Sequence, residues 1–216
     1  MRIGAIAVLL TALLPCSALA ADPDVVRHFA TASERDKRND YYLALLKLAL
    51  EKSRGEYGDY RLEPAAEPVG QGRALSMLAD DEGLDVVWTM TSREREQNLR
   101  PVRIPLLRGL MGLRVLIIRA GDQPWFRHIE SIDQLRKLRA GQGHDWPDAR
   151  ILRANDLPLM TMDSYEGMFR MLAEGRFDYL PRAVNEPWAE VEAFDEWNLA
   201  IEKELLLYYP AASYFF

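Results

Sequence analysis

The sequence predicts an α/β protein made of two lobes with a cleft between them. Between Val25 and Met90, segments typical of strands alternate with segments typical of helices at the spacing of parallel βαβ units. The alternation begins again after residues 113–118, a near-continuous apolar run that fits a buried strand. Two successive α/β units joined by buried strands imply two lobes, each a sheet flanked by helices, with a ligand site in the cleft.

The first unit begins with a short β-like run over residues 25–30. A helix follows, because four apolar residues recur at i, i+3, i+4 and i+7: Tyr42, Leu45, Leu46 and Ala49. Alternating apolar and charged residues at 60–62 predict a strand, and the apolar spacing at 74–78 predicts a second helix. Residues 84–90 predict a third strand. A site at its carboxyl end would therefore lie at residues 88–95.

The second unit contains a capping-box pair, Ser131 and Gln134, that opens a helix. Residues 157–162 are typical of a strand, and a helix stopped by Gly175 then presents one apolar face, formed by Tyr165, Met168, Phe169 and Leu172. Residues 177–180 predict a further strand. The last predicted helix has a cap followed by three apolar residues: Asn185, then Trp188, Val191 and Phe194. A strongly apolar and aromatic segment, predicted as one hinge strand, ends the chain at residues 205–216.

The N-terminus has the features of a secretory signal peptide. Arg2 precedes an apolar core over residues 3–14, and residues 18–20 form a small-residue cleavage site, so we expect cleavage directly after them. The apolar run is too short to span a membrane. Cys16, the only cysteine, lies inside this segment, so the mature chain would contain no thiol and no disulfide. Lipidation of Cys16 is the alternative, but Pro15 stands where a lipoprotein signal needs a small residue.

Composition argues against several classes of function. Loss of Arg2 leaves 26 basic against 33 acidic residues, a formal charge of −7 that disfavours a nucleic-acid surface. The three histidines, His28, His128 and His144, lack the spacing of paired metal ligands, so no metal centre is expected. The sequence contains no nucleophile elbow, phosphate-binding loop or dinucleotide fingerprint. No cofactor is therefore expected, and no catalytic residue is assigned.

The most informative local motif is residues 141–148, Gly-Gln-Gly-His-Asp-Trp-Pro-Asp. The glycines allow a sharp turn or close approach of the backbone to a ligand, and the proline with flanking aspartates indicates a helix start. A helix N-terminus suits an anionic group, while Trp146 can supply a flat wall and His144 a donor. Gly143, His144 and Trp146 are therefore candidate ligand-binding residues. The alternative is a glycine loop with a tryptophan that fills the core.

Residues 88–95, Trp-Thr-Met-Thr-Ser-Arg-Glu-Arg, resemble a segment of the type II periplasmic solute-binding proteins, in particular the family 3 branch that includes amino-acid receptors of importers. In that family a Thr-Pro-Glu-Arg-like segment carries the arginine that grips a ligand carboxylate. Arg95 falls on this position and Ser92 on its hydroxyl neighbour, so the resemblance implies that both bind the ligand. Trp88 and Thr89 replace smaller residues, which implies a pocket floor of different shape. Without the resemblance, Arg95 also fits a solvated helix turn.

The resemblance extends to the second lobe. The loop at residues 141–148 is similar to the family's glycine turn and helix N-terminus. The family's acidic residue, which pairs with the ammonium of an amino-acid ligand, would fall near Ala183 and is absent there. This absence argues against an α-amino-acid ligand, and the nearby Arg182 favours an anionic or neutral partner instead.

The resemblance covers residues 25–216 and implies the two-lobed type II periplasmic-binding-protein fold with hinge strands between the lobes. Residues 1–20 would be the signal peptide, residues 21–112 the first lobe and residues 113–206 the second, with a return to the first lobe at 207–216. In the family, further sheet and helices follow this return. A C-terminal truncation at Phe216 is therefore expected.

The function implied by the resemblance is that of a monomeric periplasmic protein, with no membrane insertion after signal cleavage. It would capture a small polar, carboxylate-bearing molecule for an ABC-type importer of the inner membrane. Two alternatives stay open. A ligand-sensing module for a signalling partner would use the same cleft, and a periplasmic enzyme on the same fold would have Glu94, Asp145 and His144 as its only acid–base candidates.

Overall fold

The computed structural model describes residues 22–30, 33 and 35–216, which form two α/β units. The predicted signal peptide and Cys16 lie outside the described residues. Within the described part of the chain, no helix has both the length and the apolar character needed to cross a membrane.

The first unit follows the predicted order of strands and helices. Its elements are β1 (Asp24–His28), α1 (Arg38–Tyr57), β2 (Tyr60–Pro64), α2 (Gln71–Ala79), β3 (Trp88–Met90) and α3 (Arg93–Asn98). Strands β1 and β2 pair in parallel, and a bridge between His28 and Val86 connects β1 to the segment that enters β3. Tyr42 and Leu46 of α1 are buried in the same core as Trp88, so the predicted helical face packs on the sheet.

The second unit is longer and has a sheet centred on one strand whose residues 116–118 are buried. Its elements are β4 (Leu113–Arg119), α4 (Gln123–Phe126), α5 (Ile132–Leu135), β5 (Ala140–Gly143), α6 (Pro147–Ala154), β6 (Leu159–Met162), α7 (Tyr165–Ala173), β7 (Leu180–Ala183), α8 (Pro187–Ala193), β8 (Leu199–Ile201) and β9 (Leu207–Tyr208). Strand β4 pairs antiparallel with β7, β8 and β9, while β5 and β6 pair in parallel. A bridge between Ala140 and Tyr179 joins the two groups of strands.

The chain passes between the two units twice. The first passage leads through a 3₁₀ turn, Leu110–Gly112, into β4. On the second, β9 still pairs with β4, whereas β10 (Ser213–Phe215) pairs antiparallel with β3 of the first unit. The segment 205–216, predicted as a single strand, is therefore two strands that belong to different sheets. The lobe boundaries themselves stay predictions from the sequence.

Most of the helix starts and stops predicted from local sequence signals agree with the structure. The capping box opens α5 as predicted, with Ser131 Oγ accepting a hydrogen bond from the Gln134 N–H at 3.3 Å. The prediction that Asn185 caps the last helix is wrong. Helix α8 starts at Pro187 with Glu186 at its N-cap, because a proline is preorganised for the first helical position.

The two glycines of the 141–148 motif are strand residues, and the expected sharp turn at them is wrong. Both lie in β5, and each leaves room for an aromatic ring. A Cβ atom on Gly141 would overlap the ring of Phe177, and one on Gly143 would lie 2.5 Å from the ring of Trp146. The motif therefore encodes close packing of two aromatic side chains against one strand.

We predict that Gly141→Ala destabilises the protein by about 1 to 3 kcal/mol, because the added methyl group forces Phe177 out of the buried core. Urea denaturation followed by circular dichroism measures the change. Gly121→Ala is the control, since a Cβ there meets no atom within 4 Å. Equal midpoints for the two variants would contradict the packing role of Gly141.

Candidate functional site

A cavity of about 500 Å³ lies between the two units. Its wall includes most of the residues predicted to bind ligand: Trp88, Thr89, Gly143, His144, Trp146 and Arg182. Ser92 and Arg95 do not line it. Instead, Ser92 caps helix α3 by accepting a hydrogen bond from the Arg95 backbone N–H. The ligand-binding roles of all these residues stay predictions.

Arg95 is buried, with 8% of its surface exposed, and its terminal nitrogens are fully engaged. Nη1 donates to Thr89 Oγ1 at 2.6 Å and to the Met90 carbonyl at 2.7 Å. Nη2 donates to Gln71 Oε1 and to the Asp145 carbonyl, both at 2.9 Å. Because each terminal nitrogen carries two hydrogens, no terminal N–H remains for a solute carboxylate. All four acceptors are neutral oxygens, and burial lowers the pKa of Arg95 to about 10.

Asp145 connects the two units through both its main chain and its side chain. Its carbonyl accepts the bond from Arg95, and its carboxylate accepts the Gly72 N–H at 2.6 Å in the first turn of α2. A carboxylate is favourable at a helix N-terminus because unpaired N–H groups and partial positive charge lie there. At the rim, Arg150 pairs with Glu94 and adds a second connection. The cleft is thus closed by the chain's own polar groups.

Trp88 belongs both to the core of the first unit and to the cavity wall. Its side chain is 3% exposed, and Nε1 donates to Asn39 Oδ1 at 2.8 Å. Its ring stacks on Tyr42 with centroids 6.1 Å apart and lies 4.6 Å from the ring of Phe29. The indole is therefore held in one orientation, as a rigid wall requires.

Trp146 is the corresponding wall of the second unit. It precedes α6 as the N-cap residue and packs on Gly143. The guanidinium carbons of Arg38 and Arg182 lie 5.2 and 4.9 Å from its ring centre, within the range of cation–π attraction. The Trp146 ring, predicted to be a flat wall for the ligand, is thus in contact with two cationic side chains of the protein itself.

Arg182 does line the cavity, but its charge is compensated. Its guanidinium donates from Nε to Glu190 Oε2 at 2.8 Å and lies 3.0 Å from Glu186 Oε1. Burial by itself would lower the pKa of Arg182, but the two carboxylates outweigh it and raise the pKa above its ordinary value. The expectation that Arg182 attracts an anion is therefore not supported, because its positive charge is already matched.

Sequence reasoning missed Glu186, whose carboxylate lies in the cavity wall. Glu186 is only three residues after Ala183, the position at which the sequence lacks the acidic residue of the family. Glu186 accepts the Ala183 N–H at 2.8 Å and lies 3.9 Å from Arg114 Nη1. Burial raises its pKa, although Arg182 opposes this effect. Pro187 was the available signal, since a proline at the first helical position places the preceding residue at the helix N-cap.

Sequence reasoning also missed Asp36 and Arg38. Both line the cavity, with Asp36 accepting a hydrogen bond from Arg38 Nε at 2.7 Å. The sequence does show a charged pair just before an amphipathic helix. That this pair lies inside the cleft follows only from the fold.

The residues considered for acid–base chemistry have other partners. Glu94 is exposed and paired with Arg150 outside the cavity, and Asp145 is bound to α2. His144 is on the rim, with its side chain 55% exposed and Nδ1 2.8 Å from Asp163. Among residues 22–30, 33 and 35–216, no group of three metal-ligating side chains could hold an ion.

We predict that Arg95→Ala lowers the stability by about 2 to 4 kcal/mol, because two buried and two half-buried acceptors lose a charged donor. For a chain of this size the melting temperature should fall by about 4 to 16 °C. Arg93→Ala, at an exposed position of the same helix, is the control and should cost less than about 1 kcal/mol. Equal melting temperatures would show that the Arg95 bonds contribute nothing to stability.

We also predict that Asp145→Ala opens the solute-free cleft. Loss of a carboxylate at a helix N-terminus costs about 1 to 2 kcal/mol, which changes the ratio of closed to open molecules by about 5- to 30-fold. Small-angle scattering should then give a larger radius of gyration. Asp163→Ala removes the same charge from the same rim without breaking a bond to α2. A radius that stays at the wild-type value in Asp145→Ala would rule out this bond as a latch.

Comparisons with known proteins bear on the fold. The sequence matches no protein-family model, and no curated protein matches it. Among solved structures, a periplasmic binding protein of Salmonella typhimurium with high arginine specificity aligns with a TM-score of 0.65 and 13% identity, over 89% of this chain and 84% of that chain. The periplasmic VFT2 domain of BvgS from Bordetella pertussis aligns with a TM-score of 0.64 and 18% identity, over 90% and 81%.

A third similar structure is the ligand-binding core of GluR0 from Nostoc punctiforme in complex with L-glutamate, with a TM-score of 0.60 and 16% identity, over 89% of this chain and 82% of that chain. At these identities the likeness is one of fold. The predicted fold class is confirmed: this chain has the two-lobed, Venus flytrap architecture of the type II periplasmic binding proteins.

Proposed function

We propose that the protein is an exported solute-binding protein that captures a small polar molecule in the cleft between its lobes. The observation that carries this proposal is the cavity of about 500 Å³, whose walls come from both lobes. This volume falls in the range of small-molecule sites, and a solute inside it would contact both lobes at once. Binding would then favour the closed state over the open one.

The charges of the cavity wall support a solute that carries a positive group, alone or as part of a zwitterion. Carboxylates outnumber guanidinium groups in the wall, which contains Asp36, Asp145, Asp148, Asp163, Glu166 and Glu186 against Arg38, Arg114 and Arg182. Each of these arginines is already paired with a carboxylate. A solute carboxylate would have to displace Gln71 or Asp145 to reach the terminal nitrogens of Arg95. A carboxylate-bearing ligand without a positive group therefore has less support than a cationic or zwitterionic one.

Export through the predicted signal peptide would bring the protein to the periplasm, where delivery to an inner-membrane importer is the role we favour. Sensing is the second candidate, because similar folds include a sensor domain of a histidine kinase. In both roles we expect a monomer that binds a small molecule. The positions of Glu94, Asp145 and His144 lend no support to an enzyme.

A thermal-shift screen of amino acids, dicarboxylates, polyamines and small sugars tests the proposal. We expect stabilisation by a cationic or zwitterionic compound, with no turnover of that compound. Calorimetry should then show that Trp146→Ala weakens binding by tenfold or more, because the wall of the second lobe is lost.

Trp188→Ala is the control for this experiment, since Trp188 is 57% exposed and does not line the cavity. Its affinity should equal that of the wild type. A hit with the same affinity in Trp146→Ala and the wild type would place the binding site outside the cleft. Chemical conversion of the stabilising compound by the protein would show that the protein is an enzyme.

A further inference from the structure

Arg38 reaches from the first lobe onto two aromatic rings of the second lobe. It is the first residue of α1, and its guanidinium carbon lies 4.0 Å from the ring centre of Tyr165 and 5.2 Å from that of Trp146. All three residues line the cavity. We call Trp146 and Tyr165 together the aromatic pair. The guanidinium group of Arg38 is thus held in the cleft by rings of the opposite lobe.

The surroundings of this guanidinium have the composition of a site for planar cations. The faces of aromatic rings attract cations, and guanidinium groups also stack on them. Asp36 binds the edge of the group through two hydrogen bonds, from Nε at 2.7 Å and from Nη2 at 2.5 Å. The Tyr165 hydroxyl donates to Glu190 Oε1 at 3.0 Å, which holds the ring in place.

The aromatic pair keeps its orientation through contacts that do not involve Arg38. Trp146 packs on Gly143, and Tyr165 packs edge-to-face on Phe169 with centroids 5.2 Å apart. The surface that receives the cation is therefore preformed on the second lobe, whereas the cation comes from the first lobe. A free solute with the same chemistry would fit the same surface when the lobes separate.

We propose that the aromatic pair is a subsite for a planar cation, such as the guanidinium group of a small solute, and that the guanidinium group of Arg38 occupies it until such a solute displaces it. The subsite rests on the proposed function in that it belongs to the same cleft. Arg38 acts as a tethered competitor: a solute must displace it, and it holds the lobes together until that happens. This role of Arg38 explains why its side chain contacts an aromatic wall that faces the cavity.

Chemical complementation tests the subsite without knowledge of the natural solute. Arg38→Ala removes the tethered group and leaves Asp36 and the aromatic pair in place. Methylguanidinium, the missing end of the side chain, should bind this variant at least tenfold more tightly than it binds the wild type, measured by calorimetry and by a rise in melting temperature. Urea has the same planar shape without the charge and should not bind.

Controls separate the subsite from general effects of charge. Arg35→Ala removes a nearby arginine that precedes α1; its guanidinium carbon lies 5.1 Å from the ring centre of Phe194, and its side chain is 43% exposed. This variant should bind methylguanidinium as weakly as the wild type. Adding Trp146→Leu to Arg38→Ala should abolish the gain. Arg38→Gln, which keeps most of the side-chain volume, replaces Arg38→Ala if the latter does not fold.

Several outcomes would overturn the proposal. Equal affinity for methylguanidinium in wild type and the Arg38 variants would show that Arg38 does not occupy a cation site. Equal binding of urea would show that shape, not charge, is recognised. A gain that survives Trp146→Leu would exclude Trp146 from the subsite and leave Tyr165 and Asp36 as the binding groups. The solute screen can fail while complementation succeeds, so the proposed function and this subsite are tested separately.

Discussion

The pairing of buried arginines with carboxylates is the constraint on which the cleft face of the second lobe depends. Arg114 of β4 and Arg182 of β7 are each 2% exposed and lie on neighbouring strands. An unpaired buried charge would cost several kcal/mol, so each needs a carboxylate from another element. Asp148 of α6 lies 2.8 Å from Arg114, and Glu190 of α8 binds Arg182. These pairs fix both helices against the sheet, and with them the position of the cavity wall.

Because these pairs consume the positive charge of the floor, other groups connect the two lobes. They are the Arg150–Glu94 pair at the rim, Arg38 against the aromatic pair, and Asp145, which accepts hydrogen bonds from Arg95 through its carbonyl and from α2 through its carboxylate. Contacts supplied by the chain itself lower the free energy of the closed state before any solute arrives. A solute can then shift the population only by binding the closed form better than the open form.

The sequence by itself determined the order of most elements and some of their ends. The i, i+3, i+4, i+7 spacing in α1, the capping box of α5 and the glycine that stops α7 are local signals, and the structure agrees with all three. Hydrophobic periodicity and caps act over a few residues, so they can be read directly. The two-lobed fold class also followed from such signals, together with the resemblance at residues 88–95 and 141–148.

Only the tertiary structure decided what the polar residues of the cleft do. Arg95 was assigned to a solute carboxylate, but its donors are taken by Gln71 and Asp145, which are 24 and 50 residues away along the chain. No local pattern marks Arg38 as a cleft residue, yet its guanidinium group rests on aromatic rings of the other lobe. The physical reason is the same in each case. A polar side chain bonds to whatever partner the fold brings within about 3 Å, and distances between remote segments leave no periodic trace in the sequence.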